Sequence, residues 1–257
     1  MIGVAQVDLM QDSDSAYMTS DQQIDEELRI FDFSHHPVPN KRKNIIRCFY
    51  NNVNGLEINA AVESIVNGAK QKEKHKILKE IETHTKLESC IKQMQAWNVD
   101  ICTLSEPCIE WRDTIPRKIV QEISRKYDQY SSWTVASSKC YSSSFVKPGG
   151  ALVYCNSTVT GRIIERGTDP WDYGRWAFTK YGGKDGTSLL VICGYRVGHR
   201  TYIPGASTAW YQQKVLLTAE KRDIDPEEAF LIDMEAWLST KIDDKTEILF
   251  FLDANEQ

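Results

Sequence analysis

Five residues stand where their side chains could act together: Asn52 with Asn54, Glu106, and Asp253 with Asn255. Each follows a short apolar, β-rich run and reads as the polar end of a strand. Together they make a set of hard oxygen donors suited to magnesium. That ion binds through one or two carboxylates, keeps several waters and leaves coordination positions for a substrate phosphate. Singly none is distinctive, because Asn and Asp after a strand are ordinary turn formers.

The elements that would deliver these residues follow from the pattern along the chain. Ile45-Ile46-Arg47-Cys48-Phe49-Tyr50 predicts a strand closed by the turn-prone Asn51-Asn52-Val53-Asn54-Gly55. Residues 60–97 read as helical, with a solvated Lys- and Glu-rich part over 70–82 and an apolar face at Leu87, Ile91 and Met94, beside Cys90 and Trp97. A second strand over 99–104 delivers Ser105-Glu106-Pro107. A helix over 115–127 follows, then strands near 132–137, 150–155, 160–165, 175–181 and 188–194, the last two joined by Gly182-Gly183-Lys184-Asp185-Gly186. One helix begins near Ser207. Another opens at Asp225-Pro226-Glu227-Glu228, which supplies an N-cap acid, proline at N1 and an acid at N3. Its Phe230, Met234, Trp237 and Leu238 recur at helical spacing and read as core. The last strand, Ile248-Leu249-Phe250-Phe251-Leu252, delivers Asp253 and Asn255.

Composition bounds the rest. The 257 residues are 41% hydrophobic and 26% charged, which suits a globular chain of one or two domains. No apolar run approaches the roughly 20 residues of a membrane-spanning helix, so no membrane partner is expected. Residues 1–15 lack the basic start and apolar centre of a secretory signal, so an intracellular location is expected. The trio Lys41-Arg42-Lys43 fits a nuclear-import signal or a solvated strand entrance, which leaves the nucleus open. Seven cysteines without a CxxC pair suggest reduced thiols and no disulfide partner. The net charge of −5 is uneven: residues 1–40 hold eight acids against Arg29, or −7, leaving +2 on the remainder. Residues 1–43 are accordingly expected to be an acidic, disordered lead-in, and 44–257 the folded domain.

Five blocks, in order, resemble the endonuclease/exonuclease/phosphatase superfamily. Tyr50-Asn51-Asn52-Val53-Asn54-Gly55-Leu56 is similar to its WNxNGL block, and Leu104-Ser105-Glu106 to its LQE block. Pro148-Gly149-Gly150-Ala151-Leu152-Val153-Tyr154 resembles its glycine-led central strand, and Val191-Ile192-Cys193-Gly194-Tyr195 its tyrosine-bearing strand, with Val197 where proline is usual. Leu252-Asp253-Ala254-Asn255 stands where the family has GDFN. The run Gly205-Ala206-Ser207-Thr208-Ala209-Trp210-Tyr211-Gln212-Gln213 and the ending Leu252-Asp253-Ala254-Asn255-Glu256 look most like the endonuclease domains of non-LTR retroelements.

The resemblance implies an α+β, DNase I-like four-layer sandwich of two packed mixed sheets flanked by helices. It implies phosphodiester hydrolysis by water, with Mg2+ (or Mn2+) on Asn52 and Glu106. Asp253 would act on the water, and Asn255 and Tyr195 would hold the phosphate. Duplex DNA is the implied partner, met by Asn54, Arg175 and Arg196. Arg162, Arg166, Arg175 and Lys180, with Trp171, Tyr173 and Trp176 between them, fit a DNA groove or an ordinary surface. The family's C-terminal Asp and His block has no counterpart here, since all five histidines (His35, His36, His75, His84 and His199) precede Asp253. The domain is therefore expected to be C-terminally incomplete, with an open sheet edge. A DNA endonuclease, a small-molecule phosphoesterase and an inactive remnant or interaction module all remain open.

Overall fold

The computed structural model describes residues 2–8, 28–31, 41, 45–56, 58, 86–140, 147–198 and 208–255. Among the described residues ten strands form two mixed sheets. The first holds β1 (Ile2–Asp8), β2 (Leu28–Phe31), β3 (Ile45–Asn52), β4 (Ile101–Ser105), β5 (Ser132–Ala136) and β6 (Ala151–Cys155), in the order β2-β1-β3-β4-β6-β5. The second holds β7 (Ile163–Thr168), β8 (Trp176–Gly182), β9 (Ser188–Tyr195) and β10 (Thr246–Asp253), in the order β10-β9-β8-β7. The helices are α1 (Lys86–Ala96), α2 (Thr114–Tyr127), the single turn α3 (Ser157–Thr160), α4 (Ala209–Ala219) and α5 (Pro226–Ser239).

Side-chain alternation builds the layers. Successive strand residues face opposite sides, and the three largest buried clusters among the described residues follow from it. Phe49, Cys102, Leu152 and Tyr154 pack with Leu87, Ile91 and Met94 of α1 and Ile119, Val120 and Ile123 of α2. Their neighbours Cys48, Ile101, Val153 and Cys155 turn the other way, onto Ala177, Val191, Cys193 and Leu249 of the second sheet. On that sheet's far face Trp176, Phe178, Leu190 and Ile192 meet Phe230, Met234 and Trp237 of α5. The result is the α+β arrangement of two mixed sheets flanked by helices that the sequence implied. β9 is buried along its whole length because helix covers one face and sheet the other.

Several expectations change. Part of the lead-in set apart as disordered is sheet: β1 pairs antiparallel with β3, from Ile2 opposite Asn51 to Asp8 opposite Ile45, and β2 pairs with β1. Ile2–Asp8 holds one acid, at its last position, so the acidity of the segment as a whole does not bear on it. Residues 9–27 and 32–40 lie outside the described ones, as do 60–85 of the expected helix and His199. The strand expected over 160–165 starts later, at Ile163, because Asn156 caps a helical turn by accepting from Thr158 N–H at 3.0 Å. Asp225 does precede α5, yet it makes no side-chain cap. Its carboxylate takes Lys214 Nζ at 3.0 Å instead.

The largest correction concerns Arg175, expected on a DNA-facing surface. It is wholly buried. Its Nε and Nη2 donate to the two oxygens of Asp169 at 2.6 and 2.9 Å, and its Nη1 donates to Asp233 Oδ2 at 2.7 Å and Ala229 O at 3.2 Å. Arg222 closes the network with bonds of 2.8 and 2.7 Å to Asp233. The Tyr173 and Trp176 rings lie 4.7 and 4.6 Å from the guanidinium carbon and are themselves buried. Basic and aromatic residues in alternation thus make an interior cation–π and ion-pair joint between β8 and α5. Removing one partner of such a joint strands a buried charge. Arg175→Ala should lower the unfolding free energy by about 3–5 kcal/mol in urea titration; a loss below about 1 kcal/mol would be that of a surface ion pair.

Candidate active site

Two parallel strand pairs point their C-terminal ends at one place. β3 runs parallel to β4, with Asn52 opposite Ser105, and β10 runs parallel to β9, with Asp253 opposite Tyr195. The sheets therefore bring Asn52, Glu106, Tyr195 and Asp253 to a common rim. Residues two positions back share the face of their strand-end partners, and there Tyr50 stacks on Phe251 with centroids 5.7 Å apart and planes 11° from parallel. Tyr50 also meets the Ser105 hydroxyl at 3.1 Å. Burial pushes the Tyr50 phenol up to about 12, so it stays protonated and its ring sets the approach of β3 to β10.

The Asn52 amide joins the sheets. Its Nδ2 donates to Glu106 Oε2 at 2.9 Å and to Asp253 Oδ2 at 2.5 Å, while its Oδ1 accepts from Asn54 N–H at 3.0 Å. Burial first, and the Glu106 charge second, hold the Asp253 carboxyl above the usual carboxylate range; the Asn255 N–H and Asn52 pull it partly back. Burial first, and the negative charge of Glu106 second, push the Tyr195 phenol up and keep it protonated. Asn255 bonds Arg196 O through Nδ2 at 2.8 Å, and its own side chain is exposed.

The backbone here is strained. Eight described non-glycine residues have positive φ, and four of them are Asn54 (42°), Glu106 (52°), Cys108 (53°) and Asn255 (48°) of this cluster. Asn tolerates the left-handed region, but glutamate and cysteine do so only when their surroundings impose it. The imposing contacts are Glu106 N–H to Gly150 O and Cys108 N–H to Gly149 O, both at 3.1 Å, with Gly55 N–H on Glu106 O at 2.7 Å. Gly149 must be glycine for a second reason: a Cβ there would lie 2.7 Å from the Tyr195 ring. Below this loop Lys147, buried, places Nζ 2.7 Å from Glu110 Oε2 and also bonds Cys140 O, so the segment after Glu106 is pinned to the segment before Gly149. Neither Lys147 nor Glu110 had a signal in the sequence, since nothing periodic marks a lysine in a polar stretch for burial.

Of the expected site residues, Asn52, Glu106, Tyr195, Asp253 and Asn255 lie together, with Asn54 exposed beside them. Arg196 is half-buried at the rim, its Nε on Glu227 O at 3.3 Å and its N–H on Asp253 O at 2.9 Å. Arg175 belongs to the interior network instead. Among the described residues no group of three or more His, Cys, Asp and Glu gathers as a ready metal cage. The donor set nonetheless suits a hard divalent cation. Two carboxylates converge on one point, there satisfied by an amide, and a half-turn of that amide would present its oxygen in place of its nitrogen.

No protein-family model matches the chain, and no curated protein matches it. Solved structures do resemble it. A humanized D. rerio TDP2 carrying 14 mutations aligns over 82% of this chain and 62% of its own, at 11% identity and a TM-score of 0.41. The AP endonuclease LMAP of Leishmania major aligns over 80% and 54%, at 13% identity and 0.41. ANGEL2, a 2′,3′-cyclic phosphatase, aligns over 81% and 52%, at 12% identity and 0.38. The chain thus spans less than two thirds of each of these proteins. At these scores the architecture rests on the chain's own strands and helices.

Two consequences are measurable. Because Asp253 is held above its unfolded value, its ionisation opposes folding; the penalty is absent below about pH 3.9 and complete above the folded pKa. Asp253→Asn should therefore raise the thermal midpoint in EDTA at pH 7, with the gain vanishing toward pH 4, and a lower midpoint at pH 7 would contradict the electrostatics. Gly149→Ala, at positive φ and against the Tyr195 ring, should cost more than about 1 kcal/mol in chemical denaturation.

Proposed function

We propose that the chain is a divalent-metal-dependent phosphodiesterase, and most concretely a DNA endonuclease domain of the retroelement kind. The observation that carries the reading is the Asn52 amide bound at once to Glu106 and Asp253, which unites the ends of three strands from two sheets. Glu106 and Asn52 would hold the cation, which when bound supplies charge neutralisation at the phosphate and stabilises the leaving oxygen. Asp253, more basic than a free carboxylate, takes a proton from a water placed against the phosphorus. Tyr195, neutral and placed by its strand pairing opposite Asp253 and by the Gly149 loop against its ring, donates a hydrogen bond to a phosphate oxygen. Asn255 is exposed and within two residues of Asp253, and its amide orients the same phosphate. Asn54 and Arg196 flank the rim, where a strand of nucleic acid would pass.

A second reading, a small-molecule phosphoesterase on the same site, is favoured by one observation. Arg175, expected to meet DNA, is interior, as are Tyr173 and Trp176, which fitted either a DNA groove or an ordinary surface. Supercoiled plasmid and low-molecular-weight phosphodiesters separate the two. With Mg2+ the chain should nick plasmid, and Glu106→Ala or Asp253→Asn should each reduce the rate at least about a hundredfold. Cleavage of small diesters with intact plasmid selects the second reading. Nicking that persists in EDTA or in Glu106→Ala contradicts both.

A further inference from the structure

A second candidate site lies away from the strand ends. α2, the outer strand β5 of the first sheet and the outer strand β7 of the second enclose a cleft of about 640 Å³, within the range of small-molecule sites. It shares no residue with the Asn52–Glu106–Asp253 cluster, and β5 is two strands across from β4, about 10 Å. One stripe of α2 forms its wall: Arg117, Gln121, Ser124 and Arg125 recur at the i, i+4, i+7, i+8 spacing of a single helix face. Arg166 of β7 faces them, its Nη1 on the Ser132 hydroxyl at 2.8 Å. Among the described residues no Asp or Glu lines the cleft. Among the described residues Arg125 pairs with Glu122, outside the lining, at 3.1 Å, and no carboxylate lies within ion-pair reach of Arg117 or Arg166. Trp133, half-buried, gives the cleft aromatic surface, and Trp111 lies at its inner side.

Three exposed guanidinium groups, of which, among the described residues, Arg125 alone pairs with an acid, Glu122, leave a net positive charge on the wall of this cleft. Such a charge selects an anion, and guanidinium forks fit phosphate in particular. The tryptophan selects a planar ring beside that anion. We propose that this cleft binds a mononucleotide-sized aromatic phosphate ester, its phosphate on Arg117, Arg125 and Arg166 and its ring against Trp133. A free small ligand suits the cleft's volume, which is that of one nucleotide-sized group rather than of a strand.

The test is titration of the full chain with AMP in EDTA, followed by tryptophan fluorescence and by calorimetry. Saturable binding with quenching is expected, weakened at least tenfold in Arg125→Ala and in Arg166→Ala. Both arginines are exposed, and unchanged circular dichroism verifies folding. Trp133→Phe should abolish most of the quench while calorimetric binding persists. Adenosine should bind at least tenfold more weakly than AMP, and inorganic phosphate should compete without quenching. Asp253→Asn with Glu106→Gln should leave AMP binding intact, which keeps this site separable from the proposed active site. The proposal is overturned if AMP does not bind, if binding ignores the arginine substitutions, or if it is lost in the Asp253/Glu106 variant. A ten-nucleotide oligothymidylate binding tenfold tighter than AMP through the same arginines would overturn the small-ligand assignment in favour of a strand.

Discussion

The amide of Asn52, shared between Glu106 and Asp253, is the interaction to which the rest of the structure is accommodated. Two carboxylates drawn to one nitrogen repel each other, and their partial burial strengthens that repulsion. They are held there by larger forces. The apolar layer between the sheets, centred on Cys48, Ile101, Val153, Val191 and Cys193, fixes how the sheets face one another. The Tyr50–Phe251 stack sets the approach of β3 and β10 just below the rim. Glycines at 149 and 150, both at positive φ, supply the carbonyls that hold Glu106 and Cys108 in the left-handed region. Stability spent in this way is the usual mark of a site built for a ligand that relieves it.

Arginine burial is the second organising feature. The same side chain and the same aromatic neighbours serve nucleic acid at a surface and serve packing in an interior, and only the acids decide between them. Asp169 lies six residues before Arg175, while Asp233 comes from a helix 58 positions away. Once both are bonded, the guanidinium is a joint between β8 and α5. Basic character at the surface then resides elsewhere, in the arginines of α2 and β7 around their own cleft.

The sequence was legible where local pattern and tertiary role agree. Strands β3, β4 and β10 are short apolar runs ended by polar residues, and each delivers the residue expected of it. The apolar faces of α1 and α5 pack as their spacing indicated. It was illegible where composition averaged over unlike pieces or where a distant partner decided the outcome. The acidity of residues 1–40 concealed Ile2–Asp8, which completes a ladder with β3. Asp225 has the type and place of an N-cap, but Lys214 claims its carboxylate. Lys147 is buried by Glu110, 37 residues earlier, a pairing that no local pattern encodes.

The central claim is that these strand ends hold one hard divalent cation through Glu106 and Asn52. Titration with Mn2+, read by the loss of the free-ion electron paramagnetic resonance signal, tests it most directly. One Mn2+ per chain that Mg2+ displaces, with binding lost in Glu106→Ala and retained in Arg175→Lys, is the expected result. No bound Mn2+, or binding that Glu106→Ala leaves unchanged, would contradict the account.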